Sequence, residues 1–327
     1  MPAEWEPHAA TWLTWPKPNG ISFPGRYKEI LPILAKLVKL ISEGEEVHIN
    51  IWDKELELLA KGSLEKENVP IKNVYFHHFQ AYEPWCRDHG PMFVVQPNGN
   101  QAIVNWGYNA WGGKYPPFDL DNSIPSKVAE ALGIPLIEPE MILEGGSIDV
   151  NGNQSLITTE QCMLNTNRNP NLDKQEIESR LSGFMGVKNI IWLGNGIKGD
   201  DTDGHVDNIS RFVSKNTVVT AVEENISDPN HEILKSNRNV LKKNFNIIEL
   251  PMPRKIEYQG QRLPASYANF YICNSHIIVP TYRDTNDDRA IETLKDMFPK
   301  RKVTGLDSIE LIWGLGSFHC LTQQQPA

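Results

Sequence analysis

The sequence is poor in cysteine, in long apolar runs and in positive charge. Its four cysteines, at 86, 162, 273 and 320, are widely spaced and form no Cys-x-x-Cys pair. That spacing argues for free thiols in a reducing, cytoplasmic setting. No stretch approaches the roughly 20 apolar residues of a membrane span, so no membrane partner is expected. Lys and Arg number 32 against 41 Asp and Glu, a net charge of −9. Such a balance disfavours nucleic acid as a partner and mildly favours a cationic ligand. The opening "MPAEWEPHAATWLTWP" has no basic segment ahead of an apolar run, so a signal peptide is not expected. No low-complexity tract or long linker divides the 327 residues. That length suits two average domains or one large repeating one.

What is present is a period. Four segments read as strand, tight turn, strand: 92–106, 147–159, 209–222 and 269–282. Their turns are rich in Asn, Gly and Ser, as hairpins require. A helical pattern follows each hairpin, at 126–133, 174–186, 231–245 and 287–298. Another apolar strand follows each helix, so each unit reads ββαβ. A fifth unit is split. "GSFHCLT" near the C-terminus looks like a first hairpin strand, and the N-terminus supplies strand 10–16, helix 27–43 and strand 46–52. The expectation is a closed ring of five ββαβ units over residues 1–327, one catalytic domain whose terminal strands complete one blade. Closure removes exposed sheet edges.

The polar motifs fall at one phase of this repeat, at the entrance to a hairpin. They are "EPWCRDHGP", "LEGGSIDV", "DDTDGHVDN" and "GLGSFHC". Equivalent phases of a ring face one axis, so Asp88, Glu144, His205, Asp207 and Cys320 are expected to converge. His205 and Asp207 are two apart, which on a strand puts both on one face. A thiol needs a nearby base or a lowered pKa to attack. Three carboxylates are too many for a simple Cys-His-Asp hydrolase, and they would raise the thiol pKa unless a cation offsets them. A guanidinium is such a cation, and carboxylates hold its planar fork in bidentate fashion. The set suits thiol attack on a guanidinium carbon.

Together, the N-terminal "MPAEWEPHAATWLTWP", "WCRDHGP", "YNAWGGKY", "LEGGSIDV", "TDGHVDN" and the terminal "HCLTQQQPA" resemble the agmatine deiminases and the Porphyromonas-type peptidyl-arginine deiminases. The resemblance implies the five-bladed α/β propeller (pentein) fold of the guanidine-modifying enzymes. It implies Cys320 as nucleophile, His205 as general acid and base, Asp88 and Asp207 as guanidinium-binding carboxylates, and Glu144 as the acid that orients the histidine. Trp85 takes the family's aromatic position and flanks the substrate. It also implies a covalent thiouronium intermediate with no metal and no organic cofactor. Two stretches depart from the family pattern: "GLGSFH" ahead of the nucleophile and "CRDHG" around Asp88. Both bear on substrate choice more than on reaction type.

The function so implied is hydrolysis of the small cationic guanidine agmatine to N-carbamoylputrescine and ammonia, a step toward putrescine. Peptidyl-arginine deimination is the second reading. Two other classes compete. One is a non-haem iron enzyme built on "HVD" and completed by a distant histidine such as His276. The other is an inactive guanidine-binding protein. Asp201 stands as a candidate for a distal amine, or for a turn with Asp200, and Trp111 as a candidate wall of the site. Cys86, Cys162 and Cys273 read as packing residues, Arg87 as half of a structural ion pair, and His319 as a structural neighbour of the nucleophile. Assembly into a homo-oligomer is compatible with the sequence.

Overall fold

Each Asn-, Gly- and Ser-rich turn closes a hairpin in the computed structural model, which describes residues 1–327. Met92–Val95 pairs with Gln101–Val104, Ile148–Val150 with Ser155–Thr159, Ser210–Ser214 with Thr217–Val222, and Tyr271–Ile272 with His276–Thr281, all antiparallel. A third strand adds in parallel to each: Leu136–Ile137, Asn189–Leu193, Asn246–Pro251 and Lys302–Asp307. Parallel addition needs a crossover, and a helix supplies it each time. These helices are Ile124–Leu132, Lys174–Met185, Asn230–Leu241 and Asp287–Met297.

The second of them shows how the sequence sets such a helix. Asp173 accepts from the backbone N–H of Glu176, and the Glu176 carboxylate returns the bond. That capping box satisfies donors the helix leaves open. Gly186 ends the helix at φ 70°, a left-handed position where glycine has no Cβ penalty. Between the caps, Ile177, Leu181 and Met185 recur at four-residue spacing and are the buried face. Asp173→Ala would cost about 1 kcal/mol.

The terminal blade is built as the split repeat requires. His8–Thr14 pairs antiparallel with Thr322–Pro326 and parallel with Glu46–Asn50. The helix Tyr27–Ser42 crosses between, burying Ile30, Leu34, Leu37, Val38 and Ile41. This blade is larger than the repeat predicts. A helix, Lys54–Lys66, leads to a fourth strand, Val74–His77, parallel to Glu46–Asn50. A small hairpin, Glu257–Tyr258 with Gln261–Arg262, also lies outside the repeat.

The apolar core is divided among the joints between blades. Met92 and Val94 pack in one cluster with Ile148 and Leu156 of the next blade. Ile157 and Ile191 share a cluster with Phe212 and Val218, and Val219 shares one with Ile277. Ile278 packs with Leu37 and Val47 of the terminal blade, and Trp12 of that blade with Phe93 of the first. The sequence of joints returns to its start, so the fold is a closed five-bladed α/β propeller.

A short helical turn precedes the first strand of every blade: Cys86–His89, Gly145–Ser147, Val206–Asn208, Tyr267–Asn269 and Phe318–Leu321. Each touches the next, and the last touches the first. These five turns line the ring axis. Two expectations change here. Cys320 sits in a helical turn, and the strand begins only at Thr322. His205 and Asp207 flank the start of another such turn and do not share a strand face.

Candidate active site

Four of the five axial turns carry or adjoin the acids, histidine and thiol singled out in the sequence, and the fifth carries Asn269. Asp88, Glu144, His205, Asp207 and Cys320 are all buried. Cys320 keeps 7% of its surface exposed, at the floor of a cleft of about 110 Å³. The glycines of these turns are close-approach positions. A Cβ on Gly146 would lie 2.5 Å from His205 Nδ1 and 2.9 Å from Asp88 Oδ1. One on Gly316 would lie 2.4 Å from the Trp85 ring. These two glycines make room for side chains of the site.

The Cys320 sulfur lies 3.1 Å from Asn269 Nδ2 and 3.6 Å from Asp207 Oδ2. Asp88 is held from two sides. Its Oδ2 accepts from the Trp111 indole at 2.9 Å and its Oδ1 from the Gly146 N–H at 3.0 Å. Asp88 Oδ1 also stands 3.6 Å from His205 Nδ1. On the other side of that ring, Nε2 is 3.9 Å from Glu144 Oε2. Glu144 is itself fixed by Arg168, whose Nε donates to Oε1 at 2.8 Å. The Asp200 carboxylate accepts from the backbone N–H of Thr202 and of His205, so it forms the turn that presents the histidine.

Behind Cys320 runs a buried ionic chain. Asp207 Oδ2 meets His319 Nδ1 at 2.7 Å, and His319 Nε2 meets Glu4 Oε2 at 2.9 Å. Glu4 also accepts from Arg87 at 3.1 Å and lies 2.8 Å from Arg211. Arg87 and His319 therefore serve the scaffold behind the cleft.

The cleft walls are Trp85, Trp111, Tyr115 and Trp313, and its acids besides Asp88 are Glu83 and Asp201. No lysine or arginine lines it. The Trp85 indole donates to Ser22 at 2.8 Å, and Ser22 bonds in turn to Glu83. The Asp201 carboxylate accepts from the Tyr115 hydroxyl, with Lys114 Nζ at 3.9 Å.

Charge in this site is strongly perturbed. Burial, then the Asp207 and Asp88 carboxylates, push the Cys320 thiol well above its ordinary range. Burial also raises Asp88. Burial opposes charge on His205, but Asp88, with Cys162 and Glu144, outweighs it and holds the imidazolium well above the usual value. Glu144 and Asp207 are depressed despite burial, by His205 with Arg168 and by His319 respectively. Burial lifts Glu83 to about 7. The resting site thus favours a neutral thiol at Cys320 and an imidazolium at His205, and a cation placed between the acids would reverse the pressure on the thiol.

The structure brings together Asp88, Glu144, His205, Asp207 and Cys320, and places Trp85, Trp111 and Asp201 in the cleft wall. It does not bring His276 to them; that ring bonds to Thr304 and Glu43. Sequence reasoning missed Asn269, Arg168, Glu4 and Glu83. Only Asn269 left a usable signal: it stands in the repeat where the other site residues stand.

A profile of the Porphyromonas-type peptidyl-arginine deiminase family matches residues 1–326. The chain belongs to that family. It is 35% identical to a putative agmatine deiminase of Selenomonas ruminantium and to an agmatine deiminase of Pseudomonas syringae pv. tomato, each match covering the whole chain and 95% of the relative. It also superposes on an agmatine deiminase of C. jejuni, a cysteine-to-serine variant with substrate bound. There the TM-score is 0.91 and the identity 35%, with 99% of this chain and 95% of that one covered. No helix of this family member is long and apolar enough to cross a membrane.

Proposed function

We propose that the chain is an agmatine deiminase, converting agmatine and water to N-carbamoylputrescine and ammonia. The observation that carries the reading is an open acceptor: Asp207 Oδ1 is buried without a hydrogen-bond partner, on the carboxylate that also touches the nucleophile. A buried acceptor left unpaired is costly, and a guanidinium N–H would satisfy it. Asp88 offers the opposing carboxylate.

Binding the cation between Asp88 and Asp207 lowers the thiol pKa, and the thiol proton leaves to water. The Cys320 thiolate adds to the guanidinium carbon. His205, an imidazolium in the resting site, gives its proton to the departing nitrogen, which leaves as ammonia. The C–N bond breaks and an S-alkylthiouronium remains. Water then adds to the same carbon while His205 takes its proton. The C–S bond breaks and the remaining hydroxyl proton leaves to water, releasing the ureido product and the thiolate. The Asn269 amide faces the sulfur as charge leaves and returns. Glu144, anchored by Arg168, positions the ring. Each blade contributes one axial turn, so the whole chain acts as one catalytic domain.

The far end of the substrate is chosen by charge. Glu83 and Asp201 suit the ammonium of agmatine, whereas the carboxylate of free arginine would find no cation in the lining. The relatives named as agmatine deiminases support the same choice. The family's description keeps peptidyl-arginine, which lacks a free carboxylate, as the second reading. Ammonia release, measured side by side on agmatine, arginine and an arginine-containing peptide, tests this. Agmatine is expected to turn over fastest. Faster release from the peptide overturns the substrate, and release from no guanidine overturns the activity.

A further inference from the structure

Beside the flank of His205 that faces Glu144 lies a buried thiol, Cys162, which the deimination chemistry does not use. Cys162 Sγ, a His205 ring nitrogen and a Glu144 carboxylate oxygen lie within 4.8 Å of one another, all three residues buried. His205 Nε2 and Glu144 Oε2, 3.9 Å apart, have no hydrogen-bond partner. The two form an ion pair too long for a hydrogen bond, beside a thiol, and an ion held between the three would satisfy all of them at once.

The geometry suits zinc. Tetrahedral zinc with ligand bonds of about 2.0–2.3 Å holds its ligand atoms about 3.3–3.8 Å apart. The 3.9 Å between His205 Nε2 and Glu144 Oε2 is just outside that range. The donor set is one sulfur, one imidazole and one carboxylate, which favours zinc over the hard cations magnesium and calcium. The supporting contacts are those of a metal site. Asp88 stands at the opposite ring nitrogen, 3.6 Å from Nδ1, and Arg168 grips the other Glu144 oxygen at 2.8 Å. Cys162 is fixed too, because its N–H donates to the Thr159 hydroxyl at 3.2 Å and its residue lies in the helical turn Glu160–Met163. Arg168 brings a positive charge near the site. The thiolate and Glu144 together supply two negative charges to the ion, and Asp203 accepts from Arg168.

We propose that Glu144, Cys162 and His205 form an inhibitory zinc site. Zinc entry displaces the Cys162 thiol proton and the second proton of the His205 imidazolium, both to solvent. No electron is transferred. A ring bound through Nε2 keeps one proton at Nδ1 and cannot become imidazolium, so it cannot donate to the departing nitrogen. Asp88 lines the cleft and contacts His205, which puts the site one side chain beneath the cleft floor. Binding does not depend on agmatine being the substrate; inhibition rests on the proposed role of His205.

The test uses the full-length protein, stripped with a chelator and titrated with zinc chloride against a chromophoric chelator. One zinc per chain is expected in wild type and in Cys320→Ser, since the nucleophile is not a ligand. Cys162→Ser is expected to weaken binding at least about tenfold. Its residual ammonia release, relative to its own zinc-free rate, should then resist zinc concentrations that stop the wild type. Undiminished zinc affinity in Cys162→Ser, loss of zinc in Cys320→Ser, or no stoichiometric binding overturns the site. Should Cys162→Ser fail to fold, cobalt(II) in Cys320→Ser protein gives the answer. A near-ultraviolet sulfur-to-cobalt band is expected there, and its absence overturns the proposal. Stoichiometric binding without inhibition would keep the site and overturn its inhibitory role and, with it, the role given to His205.

Discussion

The Asn269 side-chain nitrogen stands 3.1 Å from the Cys320 sulfur, and its carbonyl oxygen accepts from the backbone N–H of His319 at 3.1 Å. The two backbone donors at 319 and 320 both need an acceptor, which fixes the amide with its NH2 toward sulfur. Asn269 therefore holds the turn that carries Cys320 and points a donor at its sulfur. Asn269→Ala should lower kcat/KM for agmatine about tenfold or more. Asn269→Asp should do worse, because it sets a third carboxylate against the sulfur. Wild-type rates in Asn269→Ala would remove the residue from the mechanism.

That residue also shows where the sequence stopped being legible. Asp88, Glu144, His205 and Cys320 could be found because they carry chemistry at one phase of a repeat, and the ring turns phase into position. Asn269 stands at the same phase in "SYANF", but an amide among apolar neighbours carries no chemical flag. Glu4 and Arg168 were out of reach for a different reason. Glu4 gathers Arg87, Arg211 and His319 from separate parts of the ring, and Arg168 reaches back 24 residues to Glu144 within its own blade; tertiary packing sets both, and no local pattern encodes it. The helix Lys54–Lys66 and strand Val74–His77 belong to the one blade whose repeat is broken by the termini. The strand expected at Cys320 failed because "GSFHCLT" alternates like a strand, while packing against the neighbouring turns winds it into a helix.

The free thiol should titrate high. Burial, Asp207 and Asp88 all raise it, so inactivation by iodoacetamide without substrate should keep accelerating as pH rises past 9. Asp207→Asn removes one of the raising charges and so lowers the thiol pKa. At pH 7.5 it should alkylate several-fold faster than wild type while turning over agmatine far more slowly. Slower alkylation in Asp207→Asn would contradict the assigned electrostatics; the Cys320→Ser protein gives the background.

Glu83 should give agmatine binding a pH dependence. Burial raises its carboxyl to about 7, so it is neutral below that pH and negative above it. The negative form attracts the ammonium end, and KM should therefore fall as pH rises through about 7. In Glu83→Gln the profile should flatten and KM above pH 7 should rise several-fold, with kcat less affected. A profile that keeps its step in Glu83→Gln assigns it to another group.

Glu4 should matter to stability in proportion to its burial. It is the shared partner of Arg87, Arg211 and His319, and it also accepts from the Ile272 N–H at 2.9 Å. Glu4→Gln leaves buried cations short of their counter-charge and should cost about 3–5 kcal/mol, read from denaturant unfolding. The pH dependence has a definite sign. Burial opposes ionisation, but Arg211, His319 and Arg87 together hold the folded carboxyl well below its ordinary 4.5. Its contribution is thus present above about pH 4.5 and lost as pH falls through the depressed folded value. Wild type should lose stability more steeply than Glu4→Gln on acidification below pH 4.5. Parallel acid profiles would show that this carboxylate is not depressed.

Removing residues 322–327 leaves Cys320 in the chain, yet it should abolish activity. Those residues form the strand that pairs with His8–Thr14 from Leu13 back to His8, and their loss opens the ring inside the terminal blade, where the two ends of the chain meet. Two side-chain contacts go with them: the Gln324 acceptor for Arg87 at 2.7 Å and the Gln325 acceptor for the Trp12 indole at 3.0 Å. Arg87 would then lose a partner inside the chain that reaches Asp207 through Glu4 and His319. The uncovered His8–Thr14 strand would present an unpaired edge, which favours association. The expected outcome is a midpoint of thermal unfolding lowered by about 10 °C or more, aggregation on concentration, and no measurable ammonia release. A truncated protein that melts with wild type but is inactive would place the strand in catalysis instead of ring closure. One that keeps both stability and turnover would show that the ring does not depend on this strand.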